Sequence, residues 1–153
     1  MKIRLELEPD CEEDEIVIRC RELSDAIVEV QRQIAGMVNT GMQLAVTKGD
    51  ADYFLSLGEI LFLETDNSFV AVHTAEQIFT MRQRLYELEQ LLPGSFMRVS
   101  KSTIINTAKI RAIHKNITGA SQVEFAGTNK KTFVSRNYFK ALMEKLEEKR
   151  LKA

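Results

Sequence analysis

Apolar and polar residues alternate from the first positions of the chain, with Ile3, Leu5 and Leu7 in one phase and Lys2, Arg4 and Glu6 in the other. Extended backbone sends successive side chains to opposite faces, so this pattern predicts a strand. Ile16 to Cys20 predicts a second, beyond the turn at Pro9-Asp10 and an acidic loop. The period then lengthens. Ile27, Val30 and Ile34 recur at helical spacing, Met37 and Val38 extend the stripe, Ser24 is placed to cap the first turn, and Asn39-Thr40-Gly41 supplies a stop.

From Leu44 onward the period is mostly two, or the apolar runs are short and unbroken. The predicted strands are Leu44 to Thr47, Tyr53 to Ser56, Ile60 to Glu64, Phe69 to His73, Gln77 to Phe79, Phe96 to Val99, Ile110 to Lys115, Gln122 to Phe125 and Lys131 to Val134. Many short strands with Gly, Asn and Asp between them imply an antiparallel, meandering β core. Two helices interrupt it. Met81 to Leu92 stacks Leu85, Leu88 and Leu92 on one side and stops at Pro93-Gly94; the other starts at Arg136 behind a Ser135 cap and turns Phe139, Leu142, Met143 and Leu146 inward. The expected fold class is α+β and mainly β: short-stranded antiparallel sheets with few helices over residues 44–153, preceded by a small strand-strand-helix extension over residues 1–43.

A chain of 153 residues with 44% hydrophobic and 28% charged positions fits one globular domain carrying a short extra element. No apolar run approaches the roughly 18 residues that span a bilayer, and the charged N-terminus lacks the apolar middle of a signal peptide, so a cytoplasmic location is expected. Cys11 and Cys20 match no zinc or redox spacing and read as reduced thiols, one of them with a place in the core. No metal cluster, Gly-rich phosphate loop or Ser/His/Asp arrangement is present in the sequence. His73 and His114 read as plain surface or half-buried residues. The expectation is a protein without catalytic residues, metal or cofactor.

Charge changes the picture more by its distribution than by its total of −1. Residues 1–40 hold five basic and ten acidic side chains, whereas residues 95–140 hold nine basic ones against the single acid Glu124. Such a basic stretch is the electrostatic footprint of a surface for polyanions. Within it, FMRVSKSTIINTAKIRAI (residues 96–113) runs an apolar strand into Arg98, Ser100, Lys101 and Ser102, then into the anchor Ile104-Ile105 and a turn at Asn106-Thr107. Hydroxyl and cationic donors on a backbone held from below suit phosphates and base edges. A second cluster, KKTFVSRNYF, carries Lys130, Lys131, Ser135, Arg136 and Asn137. With Ser135 as cap, Arg136 and Asn137 occupy a first helical turn, where free N–H groups and the helix dipole favour phosphate. Stacking of single-stranded RNA finds less support, because Tyr53, Phe54, Phe69 and Phe125 follow strand patterns as core residues.

The order ILFLETDNSFVAVHT, RLYELEQLL, SFMRVSKSTIINTAKIRAI and TFVSRNYFKAL resembles the LytTR family of bacterial DNA-binding domains across roughly residues 44–150. The resemblance implies short strands in three small sheets and a docking mode in which loops enter successive major grooves of double-stranded DNA and touch the minor groove between. It implies three reading elements: Asn67, Ser68 and Phe69; Arg98, Ser100, Lys101 and Ser102; and Ser135, Arg136 and Asn137. Relatives often carry a polar or basic residue at Phe69, His-Arg or His-Asn at Ser100-Lys101, and a second base at Asn137, so an altered operator preference is expected. Asn106 matches a family signature and reads as a structural turn residue. Function is then expected to be sequence-specific transcriptional regulation on a direct-repeat operator by a homodimer or paired monomers. The alternative is a protein-interaction adaptor or anti-activator that keeps the scaffold. Nothing before Leu44 resembles a phosphoacceptor receiver domain. The extension is left with three roles: covering a sheet edge, dimerisation, or docking a membrane-protein inhibitor or sensor.

Overall fold

The computed structural model describes residues 2–12, 14–38 and 42–148. Helix α1 (Asp25–Val38) is followed by strands β1 (Gln43–Lys48), β2 (Ala51–Ser56), β3 (Ile60–Asp66), β4 (Phe69–Thr74) and β5 (Ile78–Met81). Helix α2 (Leu85–Leu91), β6 (Phe96–Ser100), β7 (Thr103–Asn106), β8 (Ile110–His114), β9 (Ser121–Phe125), β10 (Lys131–Val134) and α3 (Arg136–Glu148) complete the chain. All pairings are antiparallel, as the meandering pattern requires.

The strands form a seven-stranded sheet in the order β2-β1-β5-β4-β3-β7-β6 and a three-stranded sheet in the order β10-β9-β8. Two sheets therefore replace the three expected from the family resemblance. The joint that merges the β1-β2 hairpin with the rest is a single pair, Thr47 with Thr80, reinforced by the Thr80 hydroxyl donating to the Thr47 carbonyl at 3.3 Å. That hairpin turns through Gly49, whose φ of +62° suits a residue with no Cβ.

Two cores flank the larger sheet. On one face Ile60, Leu63, Val70, Val72, Phe79 and Ile104 pack with Leu85 and Leu88 of α2. On the other, Leu61, Phe62, Val99 and Ile105 meet Val123, Phe125 and Val134 of the small sheet and Leu142 of α3. A bulge between Ile60 and Phe62 shifts the β3 register. It interrupts the alternation, so that the neighbours Leu61 and Phe62 enter the same core.

Several sequence expectations change. Residues 2–8 and 16–20 form no strand; Ile3, Leu5 and Leu7 are 101%, 87% and 87% exposed, since an alternating segment holds strand geometry only against a partner. Only the helix of the extension forms, with the Ser24 hydroxyl accepting from Ile27 N at 3.3 Å; its expected stop at residues 39–41 lies outside the described residues. Cys11 and Cys20 are both exposed. The helix expected from Met81 starts at Leu85 instead, because Ile78 to Met81 pair with β4. Thr103–Asn106, read as an anchor and a turn, is a strand buried at every position, and burial on both faces erases the alternation that marks a strand. Tyr53 and Phe54 lie on the edge strand at 42% and 65% exposure rather than in the core.

Asn106 ends β7 and is 3% exposed. Its amide donates to the carbonyls of Ile60 at 2.9 Å and Leu57 at 3.5 Å, while its oxygen accepts from Ala108 N at 3.2 Å, tying the start of β3 to the following 3₁₀ turn. Asn106→Ala strands these buried groups and is expected to lower unfolding free energy in urea by about 1–3 kcal/mol. An unchanged urea midpoint would show that the bonds carry no net stability.

Candidate nucleic-acid interface

Strand direction sends three connections to one rim of the molecule. The β3-β4 hairpin turns through Asn67-Ser68 between the paired residues Asp66 and Phe69, and Asn67 takes a φ of 56°. Asn tolerates that left-handed conformation better than most residues with a Cβ. The β6-β7 hairpin turns through Lys101-Ser102 between Ser100 and Thr103. Thr65 N donates to the Ser102 carbonyl at 2.9 Å, so the two turns are neighbours. Ser135 N donates to the Val99 carbonyl at 2.9 Å, which sets the first turn of α3 beside the end of β6. β8 runs toward the same end, and places Lys115 there with its ammonium 5.6 Å from the centre of the Phe139 ring.

Exposed cations at this rim are Lys101, Lys115, Arg136 and Lys140, with Asp66 the nearby acid. Arg98 differs. Its side chain is only 20% exposed, and its guanidinium donates to the Ser100 carbonyl at 2.7 Å, to the Lys101 carbonyl and to Glu89 at 3.0 Å. One of these bonds ties the guanidinium to α2, and the other two fix the backbone of the turn. The Ser100 hydroxyl accepts from Ser102 N at 3.2 Å and closes it from the other side. Lys101 is held by its backbone while its ammonium points to solvent.

The sequence profile of the LytTr DNA-binding domain matches residues 50–147, close to two thirds of the chain. The chain belongs to the LytTR family. This is a family of DNA-binding domains rather than of enzymes. The LytTR chain is 31% identical over 94 residues to a protein of Staphylococcus aureus strain NCTC 8325 named as an HTH-type transcriptional regulator. It is 30% identical over the same length to a counterpart in strain MRSA252. Each match covers 61% of this chain and 63% of the relative. Its fold is similar to the LytTr DNA-binding domain of a Bacillus cereus response regulator, with a TM-score of 0.61 at 24% identity over 67% of this chain and 96% of that one. No helix among the described residues is long and apolar enough to cross a membrane.

Of the residues singled out in the sequence, the LytTR fold brings Asn67, Ser68, Ser100, Lys101, Ser102, Ser135, Arg136 and Asn137 to the rim. Phe69 stands half-buried at the base of the first turn. Lys130 and Lys131 lie elsewhere: the β9-β10 loop sits at the opposite end of the sheets, where Thr128 bonds to Ala75 and Lys130 donates to the Gln77 carbonyl at 3.0 Å. Lys131 faces Glu124 at 3.8 Å. Lys115 and Lys140 were counted in the basic stretch, but only tertiary structure carries them to the rim.

His73 is buried, not a surface residue, and links the two sheets. Its ring stacks on Phe62 with centroids 4.1 Å apart, Nε2 lies 3.1 Å from Glu64, and Lys130 Nζ lies 3.5 Å from Nδ1. A carboxylate acceptor on one side and an ammonium donor on the other assign the neutral tautomer with its proton on Nε2. Burial holds the His73 pKa below its ordinary value, the Glu64 charge opposes that shift, and the Lys130 charge adds to it. Burial likewise lowers the Lys130 pKa. For His73, a lowered folded pKa means that the unfolded chain takes up the proton first. The stability this contributes is present above about 6.5 and is lost as pH falls toward the folded pKa. Urea midpoints are expected to drop between pH 7.5 and 5.5 more steeply in the native chain than in His73→Asn; parallel profiles would remove His73 as the source.

Proposed function

We propose that the protein is a sequence-specific transcriptional regulator whose basic rim lies against duplex DNA, with loops reading the grooves. The observation that carries this reading is the convergence of three hydrogen-bond-rich segments, distant in sequence, on one side of a rigid sheet. Crossing from β4 through β3, β7 and β6 to the start of α3 covers roughly 20 Å at about 4.8 Å per strand. A major groove is about 12 Å wide, so elements at the two ends of the rim reach different grooves and the central turn faces the backbone or minor groove between them. Among the described residues no two helices are joined by a short turn, so groove reading falls to the hairpins and the first turn of α3.

In this arrangement Lys101 supplies the central cation, Arg136 and Asn137 present bidentate donors of the kind that recognise guanine and adenine, and Lys115 and Lys140 hold phosphates. Arg98 acts indirectly, by fixing the turn that carries Lys101. Two copies in the same orientation would occupy a direct repeat.

Gel-shift or anisotropy titration with the upstream region of the chain's own gene tests this. Lys101→Ala and Arg136→Ala are each expected to cost about 1–3 kcal/mol if they read bases. A residue that holds only phosphate lowers the salt slope by about one. Lys131→Ala, away from the rim, is expected to leave both unchanged. Native affinity in both rim variants, or equal affinity for scrambled duplexes, would overturn the reading and favour the adaptor role.

A further inference from the structure

Residues 6–15, ELEPDCEEDE, contain seven carboxylates and no base. Glu8, Asp10, Glu12, Asp14 and Glu15 are exposed and form no ion pair among the described residues, and Glu6 pairs only with Arg4 beside it. The segment joins no sheet and leaves Ile3, Leu5 and Leu7 open to solvent. The rim, in contrast, gathers the exposed cations Lys101, Lys115, Arg136 and Lys140, with Asp66 exposed nearby and Glu89 already taken up by Arg98. One chain thus carries a dense polyanion, paired among the described residues only at Glu6, and a surface suited to polyanions whose four cations form no ion pair among them.

We propose that residues 6–15 fold onto the basic rim of their own chain and compete there with DNA phosphate, so that the free protein is partly self-blocked. The regulatory part of this inference rests on the rim being the DNA-contacting surface. Reach permits the contact. The Arg32 stem of α1 lies against Gly94, at the end of β6 opposite Lys101, and the helix start at Asp25 stands about 10 Å along α1 from there. The five residues of β6 separate the two ends by roughly 17 Å. The stretch from residue 15 to the start of α1 extends to about 33 Å. Tethering sets an effective concentration of about 1 mM. Against an unspecific electrostatic affinity of about 10⁻⁴ M, that weakens DNA binding about tenfold. The blocking contact is itself ionic, so it fades as salt rises.

Two measurements on the full chain test this. The first compares the native protein with a variant carrying Glu6→Gln, Glu8→Gln, Glu12→Gln, Asp14→Asn and Glu15→Gln, all outside the packed cores, using a labelled duplex of the upstream region. The variant is expected to bind about tenfold tighter at about 50 mM salt, with a steeper salt slope, the two proteins converging near 200 mM. Equal affinity and slope overturn the proposal. The second needs no DNA: with Cys20→Ser, a spin label on exposed Cys11 reports where the acidic segment lies. Amide signals of Lys101, Ser102, Arg136 and Asn137 are expected to broaden at low salt and recover at high salt, while those of Thr128 and Lys130 stay sharp. Uniform broadening, no broadening, or broadening that requires a second copy in a mixed sample overturns the same-chain contact. Rim broadening in a protein that binds no duplex would sink the DNA reading and leave the contact standing.

Discussion

Strands β3 and β7 are buried on both faces, and the rest of the molecule is arranged around that double burial. Ile60, Leu63 and Ile104 enter one core while Leu61, Phe62 and Ile105 enter the other. A slip of one residue would exchange the two sets, so the register of the central pair is strongly specified. Asn106 locks the far end of this pair, and the bonds from Thr65 to Ser102 and from Ser135 to Val99 transmit its register to the rim. Hairpin turns that would otherwise wander are positioned by strands that cannot shift.

That rigidity explains how a protein with a net charge of −1 presents a cationic surface. Charge is sorted in space rather than accumulated. Glu124, the single acid of the basic stretch, is taken up on the small sheet by His114 at 3.1 Å, Arg111 at 3.4 Å and Lys131 at 3.8 Å. The hydrogen bond from His114 leads the causes that lower its pKa. Arg98 is paired with Glu89 and buries its donors against the turn. The cations left at the rim form no ion pair among the described residues, and the densest run of acids lies in the N-terminal segment, before α1. Separation of this kind lets ionic strength govern both DNA contact and the proposed self-contact.

His73 joins the halves by a different principle. It belongs to the large sheet, stacks on Phe62, and meets Lys130 of the small-sheet loop. The three segments proposed to read DNA are divided between the same two sheets, the hairpin turns on one and the start of α3 following β10 on the other. A network in which both ring nitrogens are matched holds the sheets in one relation, and its cost when protonated is a physical limit on the pH range of that relation.

The amphipathic helices, the hairpin-rich β organisation and the composition of the three reading segments follow from local patterning. Periodicity and turn chemistry act over a few residues, and those residues are adjacent in the chain. The resemblance of ordered motifs to LytTR domains likewise drew on nothing but sequence. Pairing decided the rest. Thr103–Asn106 carries no alternation because both its faces are covered, and Ile3 to Leu7 alternates without forming a strand because no edge receives it. Lys130 and Ser135 lie five positions apart yet stand at opposite ends of β10, one half-buried against His73 and one bonded to Val99 at the end of β6. Sequence determined which side chains had the chemistry to meet a nucleic acid. Only strand order and direction, fixed by contacts between distant residues, decided which of them share a surface.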